Sequence, residues 1–121
     1  MARIFDCARK STLALRQRKR WLLQPRDVPA DLLRASVVER YSTCGKAQCH
    51  CHQGGPKHGP FYYLTQCLAV GKMNKFLLKT GAQQQAAHSG VEHFYALQEL
   101  LEELSQINAE LLRRGERLLP E

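Results

Sequence analysis

Apolar residues recur with a helical period over the last third of the chain. Written as heptads, positions a and d hold one row of residues: Phe94, Leu97, Leu101, Leu104, Asn108 and Leu111. This spacing predicts a long helix over residues 80–115, with Thr80 as its N-cap and an interruption near Ser89 and Gly90. Because an asparagine at position a is typical of two-stranded coiled coils, the row is the predicted partner helix of a homodimer or another protein. An ordinary core helix is the alternative.

In the middle of the chain the pattern changes to β-branched and aromatic residues, which predict strands at residues 36–41, 61–70 and 75–79. A hairpin turn is predicted at residues 71–74, between the second and third strands. Glycine and proline residues at 54–60 predict a long irregular turn. Together these elements predict a three-stranded antiparallel meander, in which a cysteine-rich loop joins the first two strands.

The first quarter of the chain is rich in helix formers, which predict a helix over residues 6–24 that ends before Pro25. Its apolar side is incomplete because Arg18 falls near Trp21 and Leu22 on the helical wheel. We therefore expect this helix to pack loosely or to complete its folding on a partner.

The predicted fold class is α+β, with a basic N-terminal helix, a three-stranded antiparallel β-meander with a zinc-knuckle-like loop, and a long C-terminal helix. A chain of 121 residues has room for one small core, so we expect a single domain. Its parts are a basic helical arm at 1–26, the loop and meander at 36–79, and the long helix at 80–115. No stretch approaches the roughly 18 apolar residues of a membrane span, and no apolar secretory signal opens the sequence, so a cytoplasmic protein is expected.

Charge is distributed unevenly. The net charge is +7, and basic residues are concentrated in the first quarter. An anionic partner is the natural inference, with nucleic acid, and DNA in particular, ahead of a membrane; plain solubility or an acidic protein partner are the alternatives. The candidate phosphate-contacting residues are Arg9, Lys10, Arg16, Arg18, Lys19, Arg20, Arg40, Lys46, Lys57, Lys72 and Lys75.

Three cysteines and three histidines lie within fifteen residues of the predicted loop. Thiolates and imidazoles are the ligands that zinc prefers, so Cys44, Cys49 and Cys51 are predicted to bind a structural zinc ion. His58 is the expected fourth ligand because a flexible glycine-containing segment precedes it, and His52 and His50 are its rivals. A metal-free loop, a redox pair and an iron-sulfur site are the alternatives.

The other two cysteines carry no metal prediction. Cys67 lies within a strand pattern and is expected to be a small buried residue, whereas Cys7 is expected to lie alone near a flexible end.

An enzymatic function is not expected. A zinc deaminase would show a His-x-Glu motif followed by Cys-x-x-C, and the sequence contains neither. Glu39 is the one carboxylate near the cysteines in sequence, and a thiol flanked by two further thiols is more often a ligand than a nucleophile. We therefore assign no catalytic residue.

Several short motifs lie along the chain: Val38–Tyr41, Cys44-Gly45-Lys46, Cys49-x-Cys51, His58–Leu64, Gly71-Lys72 and the leucine pattern of residues 101–112. Together they resemble an uncharacterised family of short bacterial and archaeal proteins that carry a domain of unknown function. Phe61 stands where the family usually has tyrosine, and His50 and His52 are additional. The resemblance implies no established activity, and its members' occurrence near mobile elements mildly favours a role linked to DNA.

Two functions remain from the sequence. The first is a small zinc-stabilised nucleic-acid-binding accessory protein, associated with mobile elements. The alternative is a protein–protein interaction adaptor that acts through the C-terminal helix.

Overall fold

The computed structural model describes residues 3–119. Its fold class is α+β, as predicted. The helices and strands are α1 (Thr12–Leu22), β1 (Ser36–Ser42), β2 (His58–Ala69), β3 (Lys72–Leu78) and α2 (Gly81–Arg113), with a short 3₁₀ turn at His50–His52. Within the described residues, no helix has the length and apolar character that crossing a membrane requires.

The chain divides into two compact units. One unit, here called the sheet unit, comprises Ala30–His93; the other, the helical unit, comprises residues 3–29 and 94–119. The sheet unit holds the meander and the first part of α2, and the helical unit holds α1 and the rest of α2. Each unit is described separately below. The expectation that the chain forms a single domain stays a prediction.

The sheet of the sheet unit has the strand order β1-β2-β3, and both pairings are antiparallel. On one face Leu64 lies between Val37 and Phe76 in the register. Leu64 and Leu78 are buried with Ala87 of α2. Side chains alternate between the two faces along each strand, as in a sheet that is covered on one face only. Ala87 of α2 packs on the face that carries Leu64 and Leu78.

Two strands begin earlier than the sequence predicted. β2 begins at His58 instead of Phe61, and β3 begins at Lys72 instead of Lys75. Gly59 allows the first extension because its φ is +140°, and a Cβ there would lie 2.8 Å from the Arg40 carbonyl oxygen. Only glycine tolerates this backbone conformation and this close approach. Gly59 was expected to lie in an irregular turn, but it allows the start of β2 to pair with β1.

Helix α2 runs without interruption through Ser89 and Gly90, so the predicted break there is wrong. Gly90 is a site of close approach: a Cβ built on it would lie 2.9 Å from the Cβ of Leu33 and still closer to the Asp31 carbonyl oxygen. The Leu33 N–H donates to the Gly90 carbonyl at 3.1 Å. The glycine therefore lets the Asp31–Leu33 segment lie directly on the helix backbone.

Helix α2 also begins as predicted, immediately after Thr80. The Thr80 Oγ1 accepts from the Gln83 N–H at 3.1 Å, and the Gln83 Oε1 accepts from the Thr80 N–H at 3.3 Å. This reciprocal pair is a capping box, which satisfies amides that the first turn leaves unpaired.

The helical unit has its own core, formed by Leu15 and Leu22 of α1 with Ile107 and Leu111 of α2. These four side chains are at most 3% exposed, so the prediction that α1 packs loosely or folds only on a partner is wrong. The period of α1 places Leu15 and Leu22 seven residues apart on one side, which is enough for burial although Arg18 lies near them.

Helix α1 is shorter than predicted, because it begins at Thr12 and not near residue 6. The Ser11 side chain accepts from the Ala14 N–H at 3.1 Å and caps the helix. The five residues before Ser11 lie outside the helix, where Arg114 donates to the carbonyls of Cys7, Ala8 and Lys10.

The burial of the two isolated cysteines is the reverse of the expectation. Cys7 belongs to the core of the helical unit, and burial raises the pKa of its thiol. Cys67 is exposed near the end of β2, where the pairing with β3 is irregular between Cys67 and Ala69. A strand pattern gives the alternation of faces but not which face is covered.

Candidate metal centre

The cysteine-rich loop and the start of β2 bring Cys44, Cys49, Cys51 and His58 together. The sulfurs of the three cysteines and one ring nitrogen of the histidine all lie within 4.8 Å of one another. His58 pairs with Ser42 in the register of β1 and β2, so the group sits at the end of the sheet where the loop leaves and returns. The structure thus groups the four residues that the sequence predicted as ligands.

Tight turns place the cysteines. The Cys49 N–H donates to the Lys46 carbonyl at 3.0 Å, and the His52 N–H donates to the Cys49 carbonyl at 3.0 Å. The second bond belongs to the 3₁₀ turn His50–His52, which the sequence did not predict. Cys51 lies in the middle of this turn, and its side chain is buried in the loop. Such consecutive turns shorten the loop enough for the three sulfurs to converge.

The distances match the edges of a tetrahedron around one ion. Cys44 Sγ lies 3.7 Å from Cys51 Sγ, and Cys49 Sγ lies 3.2 Å from His58 Nε2. Around a tetrahedral zinc, with sulfur bound at about 2.3 Å and nitrogen at about 2.0 Å, two sulfurs lie roughly 3.8 Å apart and a sulfur and a nitrogen roughly 3.5 Å apart. The sulfur pair fits this geometry, and the sulfur–nitrogen pair is about 0.3 Å too close. The four residues can therefore hold a metal ion with small movements of their side chains.

The electrostatics of the loop favour a thiolate at Cys49. The Cys51 backbone N–H, and then His58, stabilise the ionised sulfur, and together they lower the pKa of Cys49 to about 6. At Cys51 the Cys44 N–H, which donates at 3.4 Å, also lowers the pKa, but burial and the neighbouring thiols outweigh it and the pKa is raised. A cation at the centre would remove that penalty, because it stabilises every thiolate around it.

The rival histidines have other positions. The His52 Nε2–H donates to the Cys44 carbonyl at 2.6 Å, outside the group of four. His50 Nδ1 lies 3.6 Å from Cys49 Sγ, and its ring centroid lies 5.4 Å from that of His58. The geometry therefore favours His58 as the fourth ligand, with His52 fixing the loop backbone beside the first cysteine.

The basic residues predicted for nucleic-acid contact fall into two groups. In the helical unit most of them bind within the protein: Arg9 pairs with Asp6, Arg16 with Glu116 and Arg18 with Glu103, and Lys19 donates to the Leu118 carbonyl. Lys10 and Arg20 are exposed. The arm is thus mostly engaged with its own unit, which the distribution of charge along the sequence could not show.

In the sheet unit the predicted cations lie around the sheet and the loop. Arg40 and Lys75 lie on the sheet face opposite Leu64 and Leu78, beside Phe61 and Tyr63. The Lys75 ammonium is 5.1 Å from the centroid of the Tyr63 ring. Three further predicted cations are exposed near the loop and the hairpin: Lys46, Lys57 and Lys72.

The predicted partner-helix row is divided by the packing of the helical unit. Leu111 is fully buried and Leu104 packs against the same core, whereas Leu101 is 56% exposed. Phe94, Leu97 and Asn108 are partly buried. Part of the row therefore packs in the core of the helical unit, where Ile107 and Leu111 lie with Leu15 and Leu22 of α1.

Trp21 is the functional candidate that the sequence reasoning missed. We expected it on the apolar side of α1, but it is 49% exposed and carries guanidinium groups of Arg18 and Arg26 over its ring. The signal in the sequence is the arginine three residues before it and the arginine five residues after it.

Comparison with known proteins finds one family model that matches part of the chain. Residues 12–66 match the model of a domain of unknown function, DUF6788, and this segment covers α1, β1, the cysteine-rich loop and most of β2. No curated protein and no solved structure gives a significant match. The match agrees with the resemblance to an uncharacterised domain and assigns no activity.

Proposed function

We propose that the protein is a small zinc-stabilised module that binds nucleic acid, with a binding role and no catalytic one. The observation that carries the zinc assignment is the convergence of three sulfurs and one imidazole nitrogen within 4.8 Å. Sets of three cysteines and one histidine are typical of structural zinc sites, which have no open position for a substrate. The Cys49 thiolate is then a ligand and not a nucleophile.

The nucleic-acid part of the proposal is supported by the sheet face opposite Leu64 and Leu78. That face combines the partly exposed rings of Phe61 and Tyr63 with the exposed cations Arg40 and Lys75. Aromatic rings stack on unpaired bases, and flanking cations bind phosphates, so the two residue types together suit a nucleic-acid strand. Tyr62 has a different role because it packs against the core on the other face.

The zinc site would position this face. His58 begins β2 only three residues before Phe61, and Arg40 lies near the end of β1. Holding the ends of both strands at one ion would fix the register that places Phe61 opposite Arg40. DNA is the first candidate, in line with the resemblance to proteins found near mobile elements.

The test is a binding titration against duplex DNA, single-stranded DNA and RNA at several salt concentrations. We expect affinity to fall with salt, with a slope of about −0.7 per phosphate contact on a single strand. Lys75→Gln should weaken binding and reduce the slope by about 0.7, whereas Lys79→Gln, an exposed control just beyond β3, should change it less. Absent binding, or affinity independent of salt, would contradict the proposal.

A second function, contact with another copy or another protein through α2, is favoured by one observation. Leu101 and Leu112 are 56% and 61% exposed, and Asn108 lies between them with a buried Oδ1. Within residues 3–119 that oxygen accepts no hydrogen bond. If the Asn108 side chain rotates outward, an asparagine from a second helix would satisfy it. Light scattering on the wild type and Asn108→Leu tests this function, and a monomer in both would argue against the homotypic form.

A further inference from the structure

A surface cavity of about 480 Å³ lies within the helical unit, and none of its lining residues belongs to the cysteine cluster. Residues of α1, of the segments before and after it, and of α2 line this cavity. Its lining combines two aromatic rings, Phe5 and Trp21, with four cationic side chains: Arg3, Lys10, Arg18 and Arg26. Aromatic and cationic groups around one cavity fit a ligand that has both a flat ring and a negative charge.

Two of the four cations are already neutralised. Arg18 forms a two-point pair with Glu103 at 2.6 and 2.8 Å, and Glu103 is only 7% exposed. Arg3 pairs with Glu99 at 2.5 Å. These pairs build the wall of the cavity, because each guanidinium is fixed by a carboxylate from α2.

The other two cations have charge to offer. Within residues 3–119, neither Lys10 nor Arg26 forms an ion pair, and both are exposed. Arg26 is held weakly, by a 3.4 Å hydrogen bond to the Trp21 carbonyl and by its position 5.4 Å from the indole centroid. The cavity therefore carries two more positive than negative charges, and the surplus lies on these two exposed side chains.

The indole is fixed while its ring surface stays available. The Arg18 guanidinium lies 4.4 Å from the Trp21 ring centroid and is itself held by Glu103. Trp21 nevertheless keeps 49% of its surface exposed. Arg26 also lies over the ring, but it is held only by the 3.4 Å bond and can be displaced by a base. A ring that is already fixed loses little entropy when a ligand stacks on it.

We propose that this cavity binds one unpaired nucleotide of a nucleic-acid strand, with the base stacked on Trp21 and the adjoining phosphates on Lys10 and Arg26. The inference deepens the proposed function and rests on it, because it adds a second contact point in the other unit of the chain. A duplex cannot use this site, since its bases are stacked on one another. The site therefore selects single-stranded segments.

Trp21 is the only tryptophan in the chain, so its fluorescence reports on this cavity alone. The probes are a single-stranded dodecadeoxynucleotide, the matching duplex, adenosine 5′-monophosphate and inorganic phosphate, each added to the full-length protein. We expect saturable quenching by the single strand, weaker quenching by the mononucleotide, and none by the duplex or by inorganic phosphate.

Variants are measured by the anisotropy of a labelled strand. Trp21→Leu should weaken binding roughly five- to hundredfold, as expected for the loss of one stacked base, and Trp21→Phe should restore most of it. Tyr95→Leu is the matched control, because Tyr95 is a similarly exposed aromatic residue of the same unit that does not line the cavity. Lys10→Gln and Arg26→Gln should each reduce the salt slope by about 0.7, whereas Arg113→Gln, outside the cavity lining, should not.

The outcomes separate this inference from the proposed function. If the strand binds while Trp21 emission is unchanged and Trp21→Leu binds as tightly as wild type, the cavity assignment is overturned and the sheet-face function stands. Equal affinity for the mononucleotide and the strand would overturn the assignment to a strand. If no probe binds at all, both proposals fail.

Discussion

Substituting Gly90 by alanine tests the packing of the sheet unit, and the structure predicts a result opposite to the general rule. In an exposed helix interior, glycine to alanine stabilises by about 1 kcal/mol. At Gly90 the new methyl group would meet the Asp31 carbonyl oxygen and the Leu33 Cβ, at 2.9 Å for the latter. Both obstacles belong to or adjoin the backbone, so the Asp31–Leu33 segment must move.

Moving that segment costs more than the helix gains. Overpacking typically costs about 1 to 3 kcal/mol, and weakening the Leu33 N–H bond to the Gly90 carbonyl costs about 0.5 to 1.5 kcal/mol more. The Asp31 carboxylate would also be strained in its bonds to Ser89 and His93. After the gain of about 1 kcal/mol in helix propensity is subtracted, we expect a net loss of about 0.5 to 3.5 kcal/mol.

Urea unfolding followed by circular dichroism measures this change, with Gly81→Ala as the matched control. A Cβ on Gly81 would meet nothing within 4 Å, and this residue begins the same helix, so the control should be neutral or slightly more stable. The reasoning is refuted if Gly90→Ala is as stable as wild type or more stable, with an unchanged dependence on urea.

Two further predictions concern the metal site and the acid limb of stability. Residues that only hydrogen-bond around a metal site typically change zinc affinity 10- to 100-fold, so His52→Ala should stay within that range and His58→Ala should lower the affinity well beyond it. Chelator competition measures both affinities. Equal losses would contradict the ligand assignment. Arg113, and then Arg114, hold the pKa of Glu110 at about 2, and Arg18 lowers that of Glu103. Because these folded-state pKa values lie below those of the unfolded chain, the stability they contribute is present above about pH 4.5 and is lost as the pH falls toward 2. Unfolding midpoints measured over that interval should fall less for Glu110→Gln than for wild type; parallel curves would show that the carboxylate contributes nothing.

The features that the sequence predicted well are those set by local patterns. The period of α2, its Thr80 cap and the alternation in β2 depend on neighbours within a few residues, and the structure contains all three. The spacing of Cys44, Cys49 and Cys51 likewise limits how far apart their sulfurs can lie. Local geometry therefore predicted the fold class and the grouping of the three cysteines.

The features that the sequence missed depend on residues far apart in the chain. Gly59 and Gly90 were expected to break structure, yet each lets another segment approach, namely Tyr41 and Asp31. Arg18 pairs with Glu103, which is 85 positions away in the sequence, and both residues line the same cavity as Trp21. No pattern within one segment contains that information, because the partner lies on another element.

We propose that zinc at the cysteine cluster supplies folding energy to the sheet unit. The most direct measurement is the zinc content and urea midpoint of the purified protein before and after chelation, with Cys51→Ser and the exposed control Cys67→Ser. We expect one zinc per chain in wild type and Cys67→Ser. We expect loss of zinc and of the folded sheet together in Cys51→Ser and after chelation, since structural zinc contributes about 10 to 16 kcal/mol. A wild-type protein that is metal-free and unchanged in stability would contradict the account.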